Sequence, residues 1–205
     1  MPLQNRIDPF GELCAVPARG LFFGNRGGRI HRDDRMLSRR RWTSRAWICC
    51  RLAFKDRHRE VWGDSYTELF FLDEPTALAA GHRPCFECRR ADAMAFAAAW
   101  SQAHGQSAPP RAGEMDAVLH AQRLDGRGKR CHRAALDDLP DGAMIVLEDG
   151  APFAVRGATV LPWCFAGYGS ARPRPRGIAV ELLTPAAMVT VLSAGYRPHW
   201  HPSAG

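Results

Sequence analysis

Two cysteines, Cys85 and Cys88, stand in the run Pro84-Cys85-Phe86-Glu87-Cys88. Thiolates at this spacing reach one tetrahedral zinc from a single tight turn. Pro84 stiffens the approach. The second cysteine opens an expected helix from about Glu87 to His104, whose N-terminal amides favour the thiolate. The chain has seven cysteines, an odd number, and no apolar leader at its start. Metal binding or buried thiols therefore explain them better than a disulfide framework. A redox pair lacks the strand pattern that would precede it. Zinc needs two further ligands. By composition they come from His31, Cys49, Cys50 and His58, or from Cys131, His132, His199 and His201 further on. Cys49 and Cys50 are neighbours on an expected strand and point to opposite faces, so one at most aims easily at a given site.

Charge supplies the second clue. Of 28 basic residues only Lys55 and Lys129 are lysines, and the formal net charge is +7. Residues 1–60 carry 14 basic and 6 acidic side chains, whereas residues 61–205 carry 14 and 15. The positive excess is confined to the first third, and Arg forks match phosphate oxygens. Within it, Arg39, Arg40, Arg41 and Arg45 form a candidate backbone-phosphate segment, with Trp42 placed to stack on a base. A polyanion is the expected partner. Apolar content of 46% and charged content of 24% are those of a folded chain. No run approaches a membrane span. The expectation is a cytoplasmic protein without a membrane partner.

Elements must hold these residues in place. Leu21-Phe22-Phe23 reads as a short strand ended by Gly24-Asn25. Residues 46–54, 59–62 and 66–72 read as strands. Asp73 caps a short helix through Ala80, and Gly81 stops it. Residues 107–113 read as a linker. Helices follow at 114–124 and 131–139, then strands at 143–148, 153–156, 159–165 and 178–183, and a last helix from Thr184 to Ser193. The expected class is α+β: a zinc module over 1–106 and a mixed domain with an antiparallel sheet over 112–205.

From Leu69-Phe70-Phe71 through Ala77-Leu78-Ala79-Ala80-Gly81-His82-Arg83-Pro84-Cys85-Phe86-Glu87-Cys88-Arg89-Arg90, the chain resembles the Ada-type metal-binding module of DNA methylphosphotriester repair. The shared pattern is an aromatic pair, an Ala-rich helix, then Gly-aromatic-Arg-Pro-Cys-x-x-Cys, over roughly 25 residues. Gly24-Asn25 and Ile30-His31 resemble a relative in which a Gly-Asn strand leads to a His ligand. The resemblance implies zinc, a DNA context and a fold of small sheet, CxxC turn and covering helix. Two ligands carry over to Cys85 and Cys88. The family's earlier pair is Cys-x-x-x-Cys, which this chain lacks; in ungapped register it falls on Phe54 and His58. The favoured set is Cys85, Cys88, Cys50 and His31, with His58 and Cys49 as substitutes. In that family one zinc-bound cysteine takes a methyl group from a phosphotriester.

The expected function is a zinc-binding protein that binds nucleic acid through its Arg-rich segment. The alternatives are an enzyme acting on nucleic acid, either a nuclease or a single-turnover methyl acceptor, and an interaction module with a structural zinc. Weaker constellations remain. Residues 192–199, LSAGYRPH, echo 78–85, LAAGHRPC, and place His199 and His201 where the first copy has ligands. Asp116 and His120 share a helix face. Arg172, Arg174 and Arg176 alternate with prolines.

Overall fold

A computed structural model describes residues 1–57, 60–148 and 150–205. Its class is α+β. The first sheet gathers β1 (Arg6–Ile7), β2 (Leu13–Cys14), β3 (Phe22–Asn25), β4 (Ile48–Arg51), β5 (Leu69–Phe71) and β6 (Arg83–Pro84) in the order β2-β1-β5-β3-β4-β6. β3 runs antiparallel to both β4 and β5, pairing Phe23 with Cys50 and Gly24 with Cys49. β6 adds parallel to β4 with Cys49 opposite Pro84. Gly24 is required here. A Cβ on it would sit 2.0 Å from the Ile48 carbonyl oxygen.

Between β5 and β6 runs α1 (Glu74–Ala79), capped by Asp73, whose carboxylate accepts the Thr76 N–H at 3.1 Å. After the CxxC turn comes α2 (Arg90–Ala103), then α3 (Ala112–Arg123). The helix therefore starts three residues later than the expected Glu87, because residues 85–88 are spent on the turn.

A hairpin of β7 (Leu124–Asp125) and β8 (Gly128–Lys129) leads into a second sheet. Its strands are β9 (His132–Ala135), β10 (Met144–Leu147), β11 (Ala151–Arg156), β12 (Thr159–Cys164), β13 (Gly167–Tyr168), β14 (Arg172–Pro173) and β15 (Ala179–Leu182). The order is β13-β12-β11-β10-β15-β9, with β14 on β12, and every pairing is antiparallel. α4 (Ala186–Ser193) closes the chain.

Two expected elements differ. Residues 132–135 form β9, not a helix, because they pair along β15 and extended pairing outweighs the helical propensity of Ala and Arg. The described part of 59–62 is a turn, with Trp62 at φ +60°.

The buried clusters draw on both sides of the 107–113 segment. Leu78, Phe96 and Trp100 pack with Met115, Leu119, Met188 and Val191. Leu72 and Ala79 pack with Met144, Leu161 and Tyr168. Polar contacts bridge the same seam. The Tyr196 hydroxyl donates to Glu74 at 2.7 Å, the Tyr168 hydroxyl donates to Asp73 at 2.8 Å, and the His199 N–H donates to Glu74 at 2.9 Å. No helix among the described residues is long and apolar enough to cross a membrane.

Candidate metal centre

The pairing of β6 with β4 carries Cys85 to Cys50. The Cys85 N–H donates to the Cys49 carbonyl at 3.0 Å, continuing the ladder by one residue. The chain then turns. The Arg89 N–H donates to the Cys85 carbonyl at 3.0 Å, and the Glu87 N–H donates to Cys85 Sγ at 3.4 Å. This turn swings Cys88 back toward Cys85. The sulfurs of Cys50, Cys85 and Cys88 all lie within 4.8 Å of one another, and all three residues are buried. A zinc tetrahedron with 2.3 Å Zn–S bonds has S···S edges of about 3.8 Å, inside that limit.

The three thiols compete for protons. Hydrogen bonds from Cys50 and Cys88, with the Glu87 and Cys88 amides behind them, hold the Cys85 thiol far below its ordinary range. The same contacts with Cys85 and Cys88 push Cys50 up. Cys88 is raised as well, so deprotonation favours Cys85 over its two neighbours. A divalent cation resolves this competition, since metal ligation takes all three as thiolates.

Three of the four expected zinc ligands come together, and His31 does not. Its Nδ1 is 2.6 Å from Thr67 Oγ1 and its Nε2 is 2.9 Å from the Gly63 carbonyl. Its ring stacks on Trp62 with centroids 5.2 Å apart. Both nitrogens are committed to pinning the 62–67 turn, so His31 is a buried structural residue. Cys49, a named substitute, faces the other side of β4. Its Sγ accepts from Arg89 Nη1 at 3.3 Å, and it packs with Leu69, Phe71 and Ala77. His58, the other substitute, lies outside the described residues.

The three sulfurs line a cleft of about 380 Å³. Its apolar wall is Phe23, Phe54, Tyr66 and Phe70, and the ion pair of Arg57 with Glu87 at 2.6 Å stands at its edge. Glu68 also lines it. Glu68 Oε2 accepts the Trp62 N–H at 2.9 Å, and Oε1 is buried without a hydrogen-bond partner among the described residues. Sequence reasoning missed this wall. The signal was present in the period-two alternation that puts Phe23, Cys50 and Phe70 on one face of three neighbouring strands.

The remaining candidates have other employment. Arg39, Arg40 and Arg45 are exposed on the long β3–β4 connection, and Arg41 is half-buried. None of the four forms an ion pair among the described residues. Trp42 packs on Trp47 and His120, with centroids at 6.1 and 5.7 Å. Asp116 is buried and gripped by Arg83 through two bonds of 2.9 and 2.8 Å, so it serves neither as a surface polar group nor as a metal ligand. His199 lies 3.2 Å from Asp92, and His201 bonds Ser203 at 2.8 Å. Neither joins a metal-capable group among the described residues. Arg172 pairs with Glu148 at 2.7 Å, and Arg174 donates to the Leu136 and Leu139 carbonyls.

Comparison of the chain with protein-family models, curated proteins and solved structures finds no match in any of the three.

Proposed function

We propose that this chain is a zinc-binding protein that binds nucleic acid, with Cys50, Cys85 and Cys88 as thiolate ligands. The observation that carries the metal is the convergence of three buried sulfurs from two parts of the chain within 4.8 Å. Three thiolates suit zinc among the common divalent ions, because soft sulfur is a poor ligand for magnesium or calcium. They leave one tetrahedral position. Of the ligands that the sequence nominated, His58 is the one to test by substitution. One zinc per chain retained in His58→Ala excludes it as the fourth donor, and a loss comparable to that of Cys85→Ser includes it.

What supports the nucleic-acid reading is the run of Arg39, Arg40, Arg41 and Arg45, none held by an acid among the described residues. The test is affinity for duplex and single-stranded DNA against salt. Three to four phosphate contacts give a slope of log K on log salt of about −2 to −4. A flat dependence, or no binding at 50 mM salt, overturns it.

One observation favours a second reading. All three cysteines are among the residues that line the cleft. A thiolate so placed is an acceptor for a methyl group. The S–C bond forms as the C–O bond of a phosphotriester breaks, and the phosphodiester leaves as an anion. Incubation with methylated DNA and intact-mass analysis then shows one added methyl group, mapped to Cys50, Cys85 or Cys88. An unchanged mass rejects this reading and leaves the binding one standing.

A further inference from the structure

On the face of the first sheet opposite the cysteine cleft, the chain buries cations that form no ion pair among the described residues. Arg26 is 4% exposed and Arg123 is 1% exposed. Their guanidinium carbons lie 4.0 and 3.7 Å from the ring centroid of Trp47. Lys129 reaches the same place. The residue is half-buried, and its ammonium donates to the Ala79 carbonyl. Gly81, at φ +86°, makes room, for a Cβ there would meet Arg123 Cδ at 2.5 Å.

These groups are bonded mostly to neutral acceptors. Arg26 donates to the Gly11 carbonyl at 2.8 Å and toward His82 Nε2 at 3.4 Å. Arg123 donates to the carbonyls of Gly81 and Arg45, both at 2.9 Å. Its Nε is buried without a partner among the described residues. No ion pair among the described residues reaches Arg26, Arg123 or Lys129. Of the acids near them, Glu12 is exposed and acts on Arg26 through space, Asp116 is held by Arg83, and Asp8 accepts the Glu12 N–H at 2.9 Å. Burial pulls Lys129 down to about 7, with the charges of Arg26 and Arg123 adding to it and those of Cys131 and Asp8 opposing.

Arg26, Trp47, Arg123 and Lys129 bound a small cavity of about 20 Å³, enough for one oxygen-sized group. Arg41 and Arg127 line its more exposed part, with Glu12 as the single acid. Buried charge without a counter-charge is expensive, and a bound anion removes that expense.

We propose that this chamber is a binding site for one phosphate-class oxyanion, with one oxygen held between Arg26, Arg123 and Lys129 and the others toward Arg41 and Arg127. The chemistry is that of inorganic phosphate or of one phosphate in a nucleic-acid backbone. The site stands whether or not residues 39–45 bind nucleic acid.

The test is thermal unfolding of the full chain, as purified with its metal, in phosphate and in chloride at equal ionic strength. Saturating phosphate raises Tm by about 5 °C over chloride in the wild type. In Lys129→Met and in Arg41→Ala the apparent phosphate Kd weakens about tenfold. The Arg41 substitution spares the buried core, so it reads out even where Lys129→Met fails to fold. Equal shifts in phosphate and chloride overturn the proposal, as does an unchanged phosphate Kd in Arg41→Ala. A second arm separates the sources. Phosphate that displaces a bound oligonucleotide at constant ionic strength assigns the site to a backbone phosphate. Phosphate that binds without displacing it assigns the site to the free anion, and either result keeps the site.

Discussion

The cysteine cleft and the cation chamber lie on opposite faces of one small sheet and are electrostatic opposites. Adjacent residues feed them: Asn25 and Ile48 line the cleft, whereas Arg26 and Trp47 line the chamber. The cleft gathers three thiols that compete for protons, which is a place prepared for a cation. The chamber gathers two guanidinium groups on one indole and Lys129 in the same lining, which is a place prepared for an anion. The sheet thus keeps a cluster of thiols and a cluster of cations apart. The side-chain alternation of a strand is what permits this.

The largest expected effect breaks the cleft. Cys85→Ser or Cys88→Ser removes the metal, and with it several kcal/mol of folding free energy. On the chamber side, Trp47→Leu takes the shared ring from both guanidinium groups and opens a void, costing about 3 kcal/mol in chemical denaturation. Metal content stays at the wild-type level, which shows that the two sites are separable. His31→Ala costs about 1–3 kcal/mol by leaving Thr67 and the 62–67 turn unpinned, again with the metal retained.

A pH experiment sharpens the chamber alone. The Lys129 ammonium titrates near 7 when folded and near 10.4 when unfolded. Between these values the unfolded chain holds the extra proton, so stability rises with pH. In phosphate-free buffer from pH 7 to 8.5, wild type gains about 1 kcal/mol per pH unit relative to Lys129→Met. Saturating phosphate holds the ammonium charged and flattens that difference. The smallest effect on the fold is that of Arg39→Ala, Arg40→Ala and Arg45→Ala together. Tm stays unchanged, and the salt slope of DNA binding falls by about 2–3.

The two sites also differ in how far the sequence announces them. Cys85 and Cys88 are legible because a local turn sets their relation, and a turn needs few residues to specify. Cys50 was legible as one of two neighbours, since strand parity allows only one to face a site. His31 misled because a buried histidine beside an Arg-rich segment looks the same in sequence whether it meets a metal or, as here, Thr67 and Gly63. The chamber left no sequence signal. Arg26, Trp47, Arg123 and Lys129 are far apart in the chain and follow no common period. They meet because α3 crosses the end of the first sheet and the 124–129 hairpin folds back on α1. That the second sheet is antiparallel was legible from its turn-bounded strands, though their order was not. Residues 132–135 were not, because pairing with β15 overrides their local preference.

The metal centre depends on the parity of β4, and one measurement reads it directly: zinc content of purified wild type, Cys50→Ser and Cys49→Ser by elemental analysis. Wild type carries one zinc per chain, Cys50→Ser loses it, and Cys49→Ser, whose sulfur faces Arg89 on the other side, keeps it. A well-folded wild type without metal, or a site lost in Cys49→Ser and kept in Cys50→Ser, contradicts the account.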